Sequence, residues 1–389
     1  MISPCLPQSV PLGEAILPNS PYVSKTLFYF TKEVRELSER ILKRLGLDGV
    51  DGVACLVFRS LPSVSRCLNA IQKASGPGDA IIPVQFSQPE SLSCEAFWLD
   101  IHAIIYPVQY FGAAFTYRVN SGDGISARHA AFCLTGFDYL QSNSSNPAFC
   151  TAGPKTLALE GEQIPVLRAS GMFERDCIKH DIATLLQPED HDQPPPSPND
   201  VFLYPGGMSA INAVARTLGD LGINSGVFTF GWLYTETVKI LEHRWPDITI
   251  YRKGGDEELD RLEASLKSGA QVTALWVDVP SNPMLITPDM PRLRRLANEY
   301  GFLILIDGTV GTFVNVDLLP YADVLMSSLT KMCSGWIRQC TGGKKLDRQL
   351  TVSYEDTLFP GDIVVLHDNS RDFVPRVQVT NNNLQNCRH

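Results

Sequence analysis

The sequence predicts an α/β protein built on a mostly parallel sheet flanked by helices. Short apolar or β-branched runs recur in its second half: GVFTF (Gly226 to Phe230), TALWVDV (Thr273 to Val279), FLILID (Phe302 to Asp307) and ADVLMSS (Ala322 to Ser328). Runs of that length bounded by polar turns read as buried strands. Between two of them lies ITPDMPRLRRLANEYG, which puts Leu293, Leu296, Ala297 and Tyr300 on one helical face and ends on Gly301. Strands alternating with helices favour parallel pairing through right-handed crossovers. In such sheets ligands bind beyond the carboxyl ends of the strands, and the polar residues of interest fall at those ends.

The first half reads as a separate α/β region. Thr31 to Gly46 places Val34, Leu37, Ile41 and Leu45 at helical spacing, with Gly46 suited to a C-terminal cap. GVACLVF reads as a strand, SVSRCLNAIQKA as a helix, and AIIPVQF and HAIIYPVQYF as further strands. The stretch QSNSSNPAFCTAGP, Gln141 to Pro154, is polar and turn-rich, and LLQPEDHDQPPPSPND, ending at Asp200, reads as a linker because its prolines do not fit helix interiors or central strands. The expected organisation is an irregular arm over 1–30, an N-terminal α/β region over 31–185, a linker over 186–200, a large domain over 201–350 and a connecting segment over 351–389.

Composition narrows the function classes. The 389 residues carry a net charge of −9 and no basic block, which argues against a nucleic-acid surface. No apolar run approaches the ~20 residues needed to span a bilayer, and the N-terminus lacks the basic and apolar regions of a signal peptide. Ten cysteines lie scattered from Cys5 to Cys387 without a CxxC pair, which reads as reduced thiols and a cytoplasmic protein. Cys333, near Lys331, reads as a small filler residue, with a nucleophile as the sharper alternative. His180, Asp181, Asp190 and His191 cluster in sequence, but their spacing fits no familiar ligand pattern, and no metal is expected.

Three features at strand ends carry chemistry. In YPGGMSAINAVARTLG, Tyr204 to Gly219, two glycines precede a helix with Ile211, Ala215 and Leu218 on its apolar face. The amides of Gly207, Met208 and Ser209 would be unpaired there, and the helix dipole favours an anion such as a phosphate. The plain alternative is a turn. Asp307 ends FLILID at the sheet mouth, either as a loop acid or cap or as a carboxylate aimed at a cationic ring nitrogen. Lys331 follows the next strand in SSLTKMCSG, behind Ser328 and Thr330, whose hydroxyls could also serve a phosphate. Phosphate cup, acid and lysine are the parts that pyridoxal phosphate needs. A desolvated lysine among cations would have a lowered pKa and act as nucleophile and base.

With these parts in order, YPGGMSAI, VDVPSNPML, ILIDGTVGTF and SSLTKMCSG resemble the cystathionine gamma-synthase branch of the Cys/Met-metabolism pyridoxal-phosphate enzymes. The family forms are S-G-M-x-A-I, E-x-P-S-N-P, V-D-N-T or V-D-E-T, and S-x-T-K. GDGISARHAAFCL and YEDTLFPGDIVVLHDNSRDFVPRV resemble the fungal form with its extra N-terminal region. The resemblance implies a type I pyridoxal-phosphate transferase fold preceded by that region. It implies pyridoxal 5′-phosphate held by Lys331 as a Schiff base, Asp307 on the pyridine nitrogen, and phosphate contacts from Gly207, Met208, Ser328 and Thr330. Tyr234 would stack on the ring and serve in catalysis, and Asn282 would lie near the phenolic oxygen.

The implied activity is γ-substitution on an activated homoserine, with Lys331 moving protons. Alternatives are a carbon–sulfur lyase, a γ-substitution step in fungal secondary metabolism, or a non-catalytic remnant. The implied partners are a small amino-acid substrate and, in the family, a second copy of the chain, with neither nucleic acid nor membrane.

The sequence departs from the family pattern in three places. After Lys331 the expected apolar strand is missing from SGWIRQCTGGKKLDRQLTVSYEDT, with Trp336 and Arg338 in place of small residues, so an open sheet edge is expected. The stretch Tyr22 to Phe30 is shorter than the fungal pattern, which ends in Y-P-R-F-F. The chain stops at His389, before the family's small C-terminal domain and its substrate-carboxylate arginine, so a truncated product of low γ-synthase activity is expected.

Overall fold

A computed structural model describes residues 30–76, 79–88, 98–153, 171–186, 196–329, 331, 337–340 and 344–386. They fall into two compact units. The first takes the described residues up to Ala114 and those from Gly124 to Gly153; the second takes Phe115–Asp123 and the described residues from Gly171 on.

The first unit carries α1 (Lys32–Arg44), β1 (Val53–Phe58), α2 (Leu61–Gln72), β2 (Ile82–Ser87), β3 (Ile101–Pro107), the start of α3 (Phe111–Ser121), α4 (Ala127–Gly136) and β4 (Gln141–Ser144). Its antiparallel sheet has the order β1-β3-β2-β4. The spacing of Val34, Leu37 and Ile41 buries all three against Val57, Val84, Ile101 and Ile105. Each such side chain contributes about 1.5–3 kcal/mol on leaving water. Two expectations change here. HAIIYPVQYF is not one strand: β3 ends at Pro107, whose ring removes a ladder donor, and the chain turns through Val108–Tyr110 into α3. Within the polar stretch after Gln141, β4 pairs with β2, and Ser142 exchanges main-chain bonds with Thr151 at 2.9 and 3.1 Å.

The second unit carries α5 (Met172–Leu185), β5 (Val201–Phe202), α6 (Gly207–Asp220), β6 (Val227–Phe230), α7 (Thr235–Arg244), β7 (Thr249–Tyr251), α8 (Asp256–Lys267), β8 (Ala274–Asp278), α9 (Met290–Tyr300), β9 (Leu303–Asp307), α10 (Thr312–Asn315), β10 (Val324–Ser327), β11 (Ile337–Cys340), α12 (Lys344–Ser353), α13 (Pro360–Ser370) and α14 (Phe373–Asn386). The sheet order is β5-β11-β10-β9-β8-β6-β7. β6 to β10 run parallel, as the alternation of strands and helices predicts. Their fully buried runs, AlaLeuTrpValAsp in β8 and ValLeuMetSer in β10, match a sheet covered on both faces.

Two apolar clusters cover the sheet. One gathers α5, α8, α9 and α13 on Leu275, Val277, Ile304 and Ile306; the other gathers α6, α7 and α12 on Trp276, Leu305, Val324 and Met326. Helix α9 starts on Asp289, which accepts from Arg292 N–H at 2.9 Å, and stops at Gly301, whose φ of +75° suits glycine.

The strand expected to be absent after Lys331 is present. Ile337–Cys340 pairs antiparallel with β10 in the register Val324↔Cys340 to Ser327↔Ile337, and on its other side with β5. Ladder bonds come from the main chain, so the run IleArgGlnCys fills a place where an apolar run was expected. β5 and β7, rather than β10, form the edges of the described sheet. The segment after 350, expected as a connection, packs inward: Leu358, Phe359, Ile363, Leu366 and Phe373 are buried. Helix α5, expected with the N-terminal region, packs on α13 in the second unit.

Candidate active site

The site lies where β8, β9 and β10 end. Asp278 closes β8, Asp307 closes β9, and the two are register partners in a parallel pair. Register partners point to the same face on strands about 4.8 Å apart, so the carboxyls stand side by side. Asp278 is 6% exposed, and its Oδ2 accepts the Tyr234 N–H at 2.8 Å. Asp307 Oδ1 accepts the Thr309 N–H at 2.9 Å, and Thr309 Oγ1 accepts the Ser328 N–H at 2.8 Å, which ties the end of β9 to the end of β10.

Burial pushes the Asp278 carboxyl well above the usual carboxylate range, and the Asp307 charge adds to this; the Tyr234 N–H and the Lys331 charge oppose it. Burial also pushes Asp307 up, against its hydrogen bonds to Thr309 and the charge of Lys331. For both acids the larger cause is burial, and Lys331 opposes it.

Lys331 brings its Nζ to 5.0 Å from the centre of the Tyr234 ring. Tyr234 precedes α7 with an extended ψ of 130°, and burial raises its phenol, with Glu236 adding to the shift. The expectation of a desolvated lysine among cations is corrected: Lys331 is exposed, and it acts electrostatically on the two carboxylates. These are far from it in sequence, so adjacency along the chain could not reveal them.

Helix α6 begins after Gly206, which is extended and makes no side-chain cap. The intrahelical ladder starts with Ala210 N–H on Gly206 O at 3.0 Å, so the first-turn amides of Gly207, Met208 and Ser209 have no intrahelical carbonyl. Ser209 Oγ donates to Gly122 O at 2.9 Å. A Cβ on Gly207 would lie 3.3 Å from Ser328 Cβ, so the helix start meets the end of β10 closely.

The structure thus brings Lys331 to Tyr234 and within electrostatic reach of Asp307, and brings Gly207 to Ser328. Met208 shares the first turn of α6. Asn282 sits exposed in the turn after β8, and none of the described hydrogen bonds joins it to the others. Thr330, Cys333 and Trp336 lie outside the described residues, as do Asp190 and His191. Asp278 and Thr309 were not singled out from the sequence. Asp278 was detectable: it ends an apolar run, as Asp307 does.

The arrangement fits pyridoxal phosphate on its donor set. A buried acid, Asp278, beside a half-buried one, Asp307, suits a cationic ring nitrogen, an uncapped helix start suits a phosphate, and an amine stands near an aromatic ring.

Residues 197–345 match the family described as Cys/Met metabolism PLP-dependent enzyme, and residues 33–126 match the fungal trans-sulfuration enzyme, N-terminal domain. Cystathionine gamma-synthase-like protein ankD of Aspergillus thermomutatus is 34% identical, covering 91% of this chain and 64% of that protein. Cystathionine gamma-synthase-like enzyme iboG1 of Amanita muscaria is 30% identical, covering 92% and 67%. The cystathionine gamma-synthase of Neurospora crassa is 30% identical, covering 86% and 67%. The chain spans about two thirds of the length of these relatives. The cystathionine gamma-synthase of Xanthomonas oryzae pv. oryzae, solved with cystathionine, is 17% identical over 56% of each chain, with a TM-score of 0.41. With both of its regions matched in chain order, this protein belongs to the Cys/Met-metabolism family of pyridoxal-phosphate-dependent enzymes.

Proposed function

We propose that the protein catalyses γ-substitution on an activated homoserine, with the second unit, centred on residues 201–350, as the cofactor-binding domain. The observation that carries the reading is the convergence of the Lys331 amine, the Tyr234 ring and the Asp278–Asp307 pair at the carboxyl end of one parallel sheet.

Pyridoxal phosphate supplies an electron sink when bound. Gly207 and Met208 would offer main-chain N–H groups to its phosphate, with a hydroxyl from Ser328 and, by the family motif, one from Thr330. Asp307 would hold a proton at the ring nitrogen. Tyr234 would cover the ring, and the family motif would assign Asn282 to the phenolic oxygen. Lys331 would anchor the cofactor and, once free as an amine, would take the substrate α-proton and then a β-proton, so that the γ-substituent could leave; once a nucleophile has added at the γ-carbon, protons would return to the β- and α-carbons.

The name of the 34%-identical relative, cystathionine gamma-synthase-like, supports γ-synthase chemistry; a γ-substitution step with another nucleophile in fungal secondary metabolism is the alternative. The test is product analysis of the cofactor-loaded chain with an O-acylated homoserine and a panel of nucleophiles. A new γ-bonded product that depends on the nucleophile is expected. Keto acid and ammonia released without regard to it would make the protein a carbon–sulfur lyase, and no cofactor absorbance at all would make it a non-catalytic relative.

A further inference from the structure

Asp278 is a buried acid that the reaction above leaves without a role. It occupies the first place of the pattern E-x-P-S-N-P, where this chain reads Asp-Val-Pro-Ser-Asn-Pro and the side chain is one methylene shorter. Its Oδ2 accepts the Tyr234 N–H at 2.8 Å. From that residue the Tyr234 ring reaches to within 5.0 Å of Lys331 Nζ. The titratable groups around Asp278 are its register partner Asp307 on β9, Lys331 beyond β10, and the Tyr234 phenol ahead of α7, with Glu236 behind it. Fully ionised, the two carboxylates and one ammonium would leave a net negative charge in a site closed to water on the Asp278 side. Two like charges sharing such a site do not both ionise freely.

We propose that Asp278 is a positioning residue that ties the Tyr234 main chain to the end of β8 and shares a single proton with Asp307 in the cofactor-free chain. The raised affinity of both acids for protons agrees with this. The inference rests on the cofactor reading only in its consequence: a cationic ring nitrogen at Asp307 would supply the missing positive charge and release the shared proton. Asp278 would then set how strongly the site demands that cation.

The test uses the full chain without cofactor, so it stands apart from whether pyridoxal phosphate binds. Folded-state affinities above the unfolded values mean that the folded chain holds extra protons from about pH 4 upward, and this contribution to stability is lost as pH rises through the folded values. Asp278→Asn keeps an acceptor for Tyr234 and removes the repulsion. It should raise the thermal midpoint at about pH 8 by roughly 2–4 °C and give no gain at about pH 5. Asp307→Asn should behave alike, and the double variant should gain less than the sum. Equal, additive shifts at both pH values would overturn the shared proton. In wild type, infrared spectra at about pH 7 should show a protonated-carboxyl band that Asp278→Asn removes. Absence of that band would overturn the proposal even if the variants fail to fold. For the positioning arm, exchange of the Tyr234 amide should quicken at least about tenfold in Asp278→Ala and not in Asp278→Asn; unchanged exchange in Asp278→Ala would remove that arm.

Discussion

The buried polar groups of the two units are settled differently. In the first unit two arginines and a histidine close on nearby carbonyls, while one acid, Asp100, is raised by burial against its bonds from Gln88. Arg44 donates to Leu140 O at 2.9 Å and Phe137 O at 3.1 Å, with its guanidinium 4.5 Å from the Phe137 ring centre. Arg59 donates to Asp100 O at 2.8 Å and lies 4.7 Å from the Trp98 ring, and His129 Nε2 lies 2.8 Å from Trp98 O. Those contacts join α1, α4 and the sheet, and their effect is structural. In the second unit Asp278 and Asp307 receive main-chain N–H bonds, yet burial still holds both above the usual carboxylate range beside one exposed lysine. A satisfied buried charge marks a joint of the scaffold; a surplus of one sign at a sheet mouth marks a place prepared for an incoming group of the other sign.

That contrast breaks first at Lys331. Lys331→Ala should abolish borohydride-stable attachment of pyridoxal phosphate, with no labelled peptide spanning position 331, while the fold survives because the side chain is exposed. A label on another lysine would move the site.

Asp307→Asn comes next. Loss of the carboxylate at a ring nitrogen should slow α-proton exchange by roughly 10²–10³-fold, the scale of a lost preorganised electrostatic contact, with little change in cofactor loading because the phosphate contacts remain. Isotope exchange in labelled water measures it, and wild-type exchange would remove the role.

Gly122→Ala sharpens the comparison between charge and geometry. Gly122 has a φ of +62°, and an added Cβ would run into Ser209 Oγ and stand 2.6 Å from Ser209 N, at the first turn of α6. A strain of about 1–3 kcal/mol should lower stability and weaken cofactor affinity together, by about tenfold. Equilibrium titration against thermal midpoint separates the two.

The smallest effect lies in the first unit and should leave the site untouched. Burial holds His129 at about 3 and His102 at about 4, below the ordinary 6.5. The unfolded chain therefore binds protons that the folded one refuses, and stability present above about pH 6.5 is lost as pH falls toward the folded values, by at most about 1.4 kcal/mol per pH unit for each group. His129→Gln should flatten that slope in hydrogen exchange across α4 without altering cofactor absorbance. An unchanged slope would assign the acid sensitivity elsewhere.

Much of the scaffold was legible. Strands β6, β8, β9 and β10 announce themselves by apolar runs and helix α9 by its apolar face and Gly301, because a sheet covered on both faces needs apolar residues nearly throughout; the short strand β7 (Thr249–Tyr251) was not singled out. The strand Ile337–Cys340 was not legible, since its membership depends on partners at β5 and β10. Pro107 could have divided HAIIYPVQYF, because a proline that removes a ladder donor is a local signal.

For the site, the sequence by itself determined the family motifs and the candidates Lys331, Asp307, Tyr234 and Gly207, because short motifs encode residue type at a strand end or helix start. Only the tertiary structure decided that Asp278 stands beside Asp307, that Tyr234 hangs from Asp278 through its main chain, and that the lysine meets carboxylates instead of cations. Those facts arise from the register of β8 against β9 and from loops that return to the carboxyl end of the sheet. Burial and electrostatic coupling are sums over neighbours distant in the chain, and they exist only once the strands have paired.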